Sequence, residues 1–217
     1  ALLKSAQVFE YINHAADYGI TTAEATADFA AVVKRSRGVA DGMSKGVQFL
    51  MKKNKIEVIM GTGKVKPGNK LEVKGADGST KELTAKNIII ATGARSRELP
   101  NLKQDGKKII GYRQAMVLPE LPKSMVVVGS GAIGVEFAYF YATMGSKVTI
   151  VEFMENVVPV EEEDVSKQLL RSLKKVGIDV MTSASVESVD TSGAGCKVSV
   201  KTASGMQTIE ADIVLSA

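Results

Sequence analysis

Residues 124–153 read SMVVVGSGAIGVEFAYFYATMGSKVTIVEF, which predicts a strand, a glycine-rich loop, a helix and a second strand. Its apolar run at Met125–Val128 is typical of a strand buried on both faces. The glycines at 129, 131 and 134 follow as G-x-G-x-x-G. A helix up to Gly145 is indicated by apolar residues three and four positions apart, namely Ile133, Phe137, Phe140, Tyr141 and Met144. Lys147–Phe153 then gives a second predicted strand.

A glycine loop between a strand and a helix predicts a dinucleotide site. Gly129 permits the tight turn, Gly131 lets a pyrophosphate approach the backbone, and Gly134 lets the helix pack close to the strand. The other residues that we predict to contact the cofactor at this loop are Ser130, Ala132, Ile133 and Val135. A glycine-rich turn without any cofactor is the alternative.

Two acids extend the predicted site. Glu152 lies 23 positions after Gly129, at the end of the second strand, where a carboxylate accepts hydrogen bonds from adenosine ribose hydroxyls. Residues 153–156 supply no positive charge for a 2′-phosphate, so we predict NAD rather than NADP. A solvated acid is the alternative at this position. Glu136 in the first helical turn is either an acid that suits the helix dipole or a contact to the nicotinamide end.

The residues after the site predict a helix and a small antiparallel meander. Acids at Glu161–Asp164 open the helix, and basic residues close it before Gly177, so we interpret the acids as capping and predict no metal site. The predicted buried stripe is Val165, Leu169, Leu173 and Val176. Ile178–Ser183 is a strand, turns at 192–195 and 204–205 shape the meander, and 211–217 returns to the parallel sheet.

The first half reads as a damaged copy of the second. Residues 56–93 and 178–217 both open with an Ile-acid-Val strand, run through a meander and end in an apolar strand. The first meander contains the hairpin signal Asp77–Gly78. No glycine precedes Gly19, so the first copy lacks its opening strand and glycine loop. Residues 1–18 and 27–54 are instead predicted helices, with apolar faces at Phe29, Val32 and Val33 and at Val47, Leu50 and Met51.

Composition excludes several classes of protein. The chain has 217 residues, a single cysteine, Cys196, and a net charge of +4. An internal disulfide is therefore impossible. The densest basic cluster, at residues 52–55, suits a helix end, and we predict no nucleic-acid partner. The apolar runs are shorter than the ~20 residues of a membrane span, so no membrane partner is expected. Both ends read as cut, since the chain starts at Ala1 and stops inside an apolar run.

Four stretches together resemble the pyridine nucleotide–disulfide oxidoreductases, and within them the dihydrolipoamide dehydrogenases. ALLKSAQVFEY at the start is similar to the segment after that family's redox disulfide, and IIIATGARSRELP is similar to its FAD-contacting segment. Residues 151–178 are similar to the segment that runs from the NAD ribose contact through the following helix. The final ADIVLSA is similar to the strand before a family Gly-Arg motif. The resemblance covers essentially the whole chain.

The resemblance implies an α/β fold with tandem Rossmann-like FAD- and NAD(P)-binding units. Each unit has three-layer β-β-α character and an antiparallel meander, and the first unit is incomplete. The implied domains are 1–113, a partial FAD-binding domain, and 114–217, an NAD-binding domain, with residues 95–123 as the connection. The implied FAD contacts are Gly63, Thr92, Gly93 and Ala94. Val186 would line the adenine side of NAD, and Glu136 would lie near the nicotinamide.

The implied activity is oxidation of protein-bound dihydrolipoamide, with hydride passing through FAD to NAD. The implied partners are a lipoyl-bearing protein of a 2-oxoacid dehydrogenase or glycine cleavage complex and, in the longer protein, a second identical chain. The implied location is the cytoplasm, or the mitochondrial matrix in a eukaryote. The family's redox cysteines, first glycine loop and histidine–glutamate pair are missing here. His14 and Cys196 are interpreted as structural.

This 217-residue piece is therefore expected to bind NAD, retain FAD weakly or not at all, and not turn over. No catalytic residue is assigned to it. Two alternatives stay open. One is another NADH-linked flavoprotein disulfide reductase or an NADH oxidase, and the other is a non-catalytic NAD-binding module.

Overall fold

The computed structural model describes residues 1–96 and 98–217, which form two compact units. The first unit comprises Ala1–Val39 and Ser96–Ala217, and the second comprises Ala40–Arg95. Arg97, which belongs to the predicted FAD-contacting segment, lies outside the described residues. The predicted boundary between an FAD-binding domain, 1–113, and an NAD-binding domain, 114–217, divides the chain by cofactor and not by compactness. These two units do not test it, and it stays a prediction.

The helices include both of those predicted in the first 54 residues. Their bounds are α1 Leu2–Asn13, α2 Phe29–Lys53, α3 Tyr112–Ala115, α4 Ala132–Met144 and α5 Glu163–Lys175, with a 3-10 turn at Ala15–Tyr18. The Asp28 carboxylate accepts the Ala31 N–H at 2.9 Å, which satisfies an N–H that the start of α2 leaves free. Phe29 of the first apolar face of α2 is buried. In the second apolar face, Val47 and Leu50 are about half exposed and Met51 is partly buried.

Within the described residues, eleven strands make three sheets. The strands are β1 Thr62–Lys66, β2 Lys70–Lys74, β3 Thr80–Thr84, β4 Ile109–Ile110, β5 Ser124–Val128, β6 Lys147–Val151, β7 Asp179–Met181, β8 Ser185–Asp190, β9 Cys196–Thr202, β10 Gly205–Ala211 and β11 Ile213–Ser216. In the first unit, a five-stranded parallel sheet has the order β4-β11-β5-β6-β7, and an antiparallel meander has the order β10-β9-β8. The predicted meander and the return of 211–217 to the parallel sheet are confirmed.

Strand β5 lies at the centre of three layers in the first unit. Met125 and Val127 belong to the core shared with α1, α4 and the start of α2. Val126 and Val128 alternate with them and belong to the core shared with β8 and β9. Because successive side chains of a strand point to opposite faces, β5 is covered by helices on one side and by the meander on the other. The α/β fold with β-β-α layering is therefore confirmed here.

Several predicted details of the first unit need correction. Strand β6 ends at Val151 rather than Phe153, and Ile133 of α4 is exposed. On α5, Val165 is exposed, and so is Val176 directly after the helix, whereas Ser166 and Leu173 are buried and Leu169 and Leu170 are partly buried. The buried face is centred about one position further along the helix than the predicted stripe, because Ser166, Leu169, Leu170 and Leu173 share one side at helical spacing.

The connection between the two sequence copies contains structure that the sequence did not reveal. Ile109–Ile110 forms β4, which pairs in parallel with β11, and α3 follows directly. The Asp105 carboxylate organises the entry to β4 by accepting N–H groups from Lys107, Lys108 and Ile109 at 2.7–3.0 Å. These backbone bonds outweigh partial burial and lower the pKa of Asp105.

The second unit contains the antiparallel sheet β1-β2-β3. The predicted hairpin at Asp77–Gly78 is confirmed, since the Asp77 carboxylate accepts the Ser79 N–H at 3.0 Å and Gly78 has φ +82°. The predicted strands on either side are wrong, because residues 56–60 and 87–91 form neither helix nor strand. A parallel strand needs a neighbour, and the first copy has no sequence counterpart of β5. In residues 1–96 and 98–217, no helix has both the length and the apolar character needed to cross a bilayer.

Candidate functional site

The glycine loop lies at the carboxyl end of β5, where α4 begins. Gly129 has φ +102°, and its N–H donates to the Val151 carbonyl at 2.9 Å. A Cβ at Gly134 would lie 2.2 Å from the Gly129 carbonyl oxygen, so α4 can approach the loop only because residue 134 is glycine. The packing roles predicted for these two glycines agree with this geometry.

Gly131 differs from the other two glycines, because a Cβ there would meet no protein atom within 4 Å. Gly131 is the N-cap of α4, and the first helical bond runs from the Val135 N–H to the Gly131 carbonyl at 3.0 Å. The N–H groups of residues 132–134 therefore have no partner within the helix. Ala132 and Ile133 are exposed and Val135 is partly buried. An anion can thus approach this helix end closely, where the helix dipole favours negative charge.

Glu152 lies immediately after β6 and is only 6% exposed. Its Oε2 accepts hydrogen bonds from the Ser130 N–H at 2.7 Å and from the Ser130 hydroxyl at 2.6 Å. Its Oε1 accepts the Met154 N–H at 2.8 Å. The alternative of a solvated acid at strand end is therefore wrong. The carboxylate is held against the glycine loop.

The surroundings of Glu152 favour a ribose over a phosphate. Charge-assisted hydrogen bonds to an ionised carboxylate are roughly twice as strong as neutral ones, so this acid is well satisfied without a cation. Among the described residues, no lysine or arginine forms an ion pair with it. A 2′-phosphate placed here would meet a negative charge, whereas ribose hydroxyls would meet an acceptor.

Glu136 is exposed on the first turn of α4, beside a small cavity of about 230 Å³. The cavity is mainly apolar and is lined, besides Glu136, by Ile133, Phe137, Phe140, Tyr112 and Arg37 among others. The glycine loop and this cavity thus lie at the same end of α4. A role for Glu136 near the nicotinamide stays a prediction. Tyr112 and Arg37 line this cavity although they come from distant parts of the sequence, so no local pattern could have indicated them.

Val186 lies on β8, and its side chain packs in the core between the meander and the parallel sheet. Its carbonyl accepts a hydrogen bond from the Asn101 side-chain amide at 2.7 Å. The structure thus gives Val186 a packing role, and its predicted contact with adenine stays a prediction.

The four predicted FAD contacts all belong to the second unit. Gly63 lies on β1, whereas Thr92, Gly93 and Ala94 lie in an exposed segment outside helices and strands. The family's FAD-binding glycine loop has no counterpart in the sequence. The described residues of this unit do not make a cradle for the FAD pyrophosphate.

The two residues interpreted as structural have structural surroundings. Cys196 is buried, which raises the pKa of its thiol. The Nδ1 of His14 lies 2.9 Å from the Glu10 carbonyl oxygen at the end of α1. Neither residue lies in the glycine-loop site.

A second link at the loop was not predicted. The Val158 N–H donates to the Ser130 carbonyl at 3.1 Å, and Val158 has φ +42°, a conformation rare for a β-branched residue. Two residues of the segment after β6, Glu152 and Val158, are thus hydrogen-bonded to Ser130. The sequence carries no signal for these contacts, because they depend on how a loop folds back over its neighbour.

Comparison with known proteins places this geometry in a family. The sequence profile of the family described as pyridine nucleotide-disulphide oxidoreductase matches residues 3–217. The chain is 47% identical to a dihydrolipoyl dehydrogenase of Chlorobaculum tepidum, over 100% of this chain and 46% of that protein. It is 40% identical to the Zymomonas mobilis dihydrolipoyl dehydrogenase, over 97% of this chain and 45% of that protein.

Solved structures agree with the sequence relatives. The crystal structure of LpdA from Mycobacterium tuberculosis matches with a TM-score of 0.87 and 28% identity, over 100% of this chain and 47% of that one. The HOCl-induced flavoprotein disulfide reductase RclA from Escherichia coli matches with a TM-score of 0.76 and 26% identity, over 100% and 44%. The chain thus spans about half the length of the relatives it matches. It belongs to the pyridine nucleotide–disulphide oxidoreductase family, whose dihydrolipoyl dehydrogenase members use FAD and NAD.

Proposed function

We propose that residues 114–217 bind NAD in an NAD-linked flavoprotein dehydrogenase. The observation that carries the proposal is the buried Glu152 carboxylate, held against the glycine loop by Ser130 and without a cation among the described residues. An acceptor at this position suits the two free hydroxyls of an NAD ribose and repels the phosphate of NADP.

The protein residues divide the work of binding. The free N–H groups at the start of α4 would hold the pyrophosphate, and the open space at Gly131 would admit the phosphates. Glu152 would accept hydrogen bonds from the ribose. Glu136, beside the apolar cavity, would lie near the nicotinamide. Bound NAD supplies a nicotinamide ring that accepts a hydride, and the protein's contribution is to orient it.

The longer protein is proposed to be a dihydrolipoyl dehydrogenase, as the curated relatives are named. It would oxidise dihydrolipoamide on a lipoyl-bearing protein of a 2-oxoacid dehydrogenase or glycine cleavage complex, pass hydride to NAD through FAD, and act as a homodimer. The location that fits the relatives is the cytoplasm or the mitochondrial matrix. The 217-residue chain alone has one cysteine and hence no redox pair, so it is expected to bind NAD without turnover.

Titration of the chain with NADH and with NADPH, followed by nicotinamide fluorescence, tests the proposal. We expect NADH to bind and NADPH to bind at least about ten-fold more weakly, since a like charge beside the 2′-phosphate costs on the order of 1.4 kcal/mol or more. Glu152→Gln should reduce that preference several-fold. The matched control is Glu155→Gln, an exposed acid three residues away, which should not. Equal binding of the two cofactors, or of neither, would contradict the proposal.

The second candidate is another NADH-linked flavoprotein disulfide reductase, which the RclA structure favours. This candidate would be supported if the longer protein showed no activity with dihydrolipoamide but did reduce the disulfide of a different substrate with NADH. Measurable turnover of dihydrolipoamide and NAD by a verified 23.0 kDa species would contradict the expectation that this chain alone is inactive.

A further inference from the structure

We infer that Ser130 is a positioning residue that orients Glu152 and thereby sets the selectivity for NAD over NADP. The inference rests on the proposed function, and it assigns to the Ser130 hydroxyl a task separate from those of the three glycines. Those glycines act through the absence of a side chain, whereas Ser130 acts through the presence of one.

The geometry gives Ser130 an unusual number of contacts to one neighbouring segment. Ser130 is fully buried, at 0% exposure. The backbone N–H and the side-chain hydroxyl both donate to the same carboxylate oxygen, Oε2 of Glu152, at 2.7 and 2.6 Å. Its carbonyl accepts the Val158 N–H at 3.1 Å. All three contacts reach the segment that follows β6.

The hydroxyl fixes the side chain in a way that the backbone alone does not. Oε1 of Glu152 is held by the Met154 N–H, and Oε2 is held from the opposite segment by Ser130. Two donors on Oε2 and one on Oε1 fix the plane of the carboxylate. A buried charged oxygen that loses a donor is less well satisfied, and the side chain regains freedom to rotate.

A fixed carboxylate discriminates better than a mobile one. Ribose hydroxyls donate to oxygens that are already oriented, so little conformational entropy is lost on binding. A 2′-phosphate gains no such hydrogen bond, because the carboxylate repels it whether or not the side chain is fixed. Loosening Glu152 should therefore weaken NADH binding while leaving the weak NADPH binding nearly unchanged.

Substitution of Ser130 tests this division of roles. In Ser130→Ala, we expect the dissociation constant for NADH to rise by about 5- to 20-fold, and that for NADPH to change by less than about two-fold. The effect on NADH is at the lower end of that of a hydrogen bond to a charged group, because Ser130 acts on the ribose only through Glu152. The matched control is Ser146→Ala. Ser146 is also buried, and its hydroxyl donates to the Pro122 carbonyl at 2.5 Å beyond the other end of α4. This control should leave the cofactor preference unchanged.

A double substitution separates positioning from a general structural role. In a Glu152→Gln background, Ser130→Ala should change NADH binding by less than about two-fold, because the oriented charge is already gone. Equal weakening of NADH and NADPH by Ser130→Ala, or an unchanged preference, would overturn the inference while the proposed function stands. A wild-type chain that binds no NADH would overturn both. Circular dichroism of each variant shows that it is folded.

Discussion

Residues 88–91 and Ile213–Ser216 have similar apolar sequences but different structures. Ile213–Ser216 forms β11 between β4 and β5, with Val214 and Leu215 fully buried. In the other segment, Ile89 is 90% exposed and Ile90 is 74% exposed, and neither lies in a strand. The difference indicates that an apolar run becomes a parallel strand only where a neighbouring strand offers its N–H and C=O groups.

Hydrogen exchange should show the largest difference between the two segments. Amides of β11 that bond to β4 and β5 should exchange at least about 10³-fold more slowly than those of residues 88–91, because their exchange requires opening of the core. The measurement is exchange resolved by NMR or by peptide mass spectrometry. The hairpin strand β2 serves as an internal reference with antiparallel bonds in the second unit. Equal protection of residues 88–91 would show that they do have a strand partner in solution.

A glycine substitution should lower the free energy of unfolding much more at Gly134, in the first unit, than at Gly63, in the second unit. Gly134→Ala should lower the free energy of unfolding by about 3 kcal/mol or more, because the new Cβ would overlap the Gly129 carbonyl oxygen, which cannot move freely. Gly63→Ala in the second unit is the contrast, with a Cβ 3.5 Å from the Leu71 side chain, an ordinary contact. Its effect should stay within about 1 kcal/mol. Denaturant unfolding followed by far-ultraviolet circular dichroism measures both.

Within the same loop, Gly131→Ala is a second contrast. Its Cβ meets nothing within 4 Å, so the stability should stay within about 0.5 kcal/mol of wild type while NADH binding weakens. A large loss of stability at Gly131, or none at Gly134, would contradict the roles assigned to the two glycines.

The smallest expected effect is on how the free energy of unfolding depends on pH. Tyrosine ionisation reports on the first unit, because all five tyrosines lie there. Burial and a hydrogen bond to the Glu10 carboxylate raise the pKa of Tyr139 from 10.0 to about 12. A raised pKa in the folded state stabilises the fold below pH 10, and this contribution is lost as the pH rises from 10 to 12. Tyr139→Phe should therefore make the fall in unfolding free energy over this range shallower.

The control for that experiment is Tyr18→Phe, because Tyr18 is 68% exposed. It should leave the fall unchanged. Part of the fall should also persist in Tyr139→Phe, since burial raises the pKa of Tyr141 as well. An identical pH dependence in wild type and Tyr139→Phe would show that neither burial nor the bond to Glu10 raises the pKa of Tyr139 in solution.

Local signals carried most of what the sequence could predict. The strand, glycine loop and helix at residues 124–144 are adjacent in the chain, so their pattern is complete in one short window. The ends of α2 and α4 were predictable for the same reason, from terminal lysines and from Gly145. Helix and hairpin signals need no distant partner.

Non-local pairing explains what was missed. Ile109–Ile110 is too short to show a period, and it is a strand only because β11 lies beside it. The strands predicted at residues 56–60 and 87–91 failed for the opposite reason, since their pattern was right but no neighbour is present in the described chain. At the site, the position of Glu152 was predictable, whereas its burial and its bonds to Ser130 depend on two loops that meet only after folding.

The strand order of the parallel sheet has a consequence for synthesis. β11 lies between β4 and β5 but is translated after both, and after the whole meander. While the ribosome is still making residues 129–212, the facing edges of β4 and β5 have no partner between them. The first unit therefore closes only after the whole meander and β11 have been made, and until then these exposed edges are where a chaperone would bind or where nascent chains would associate.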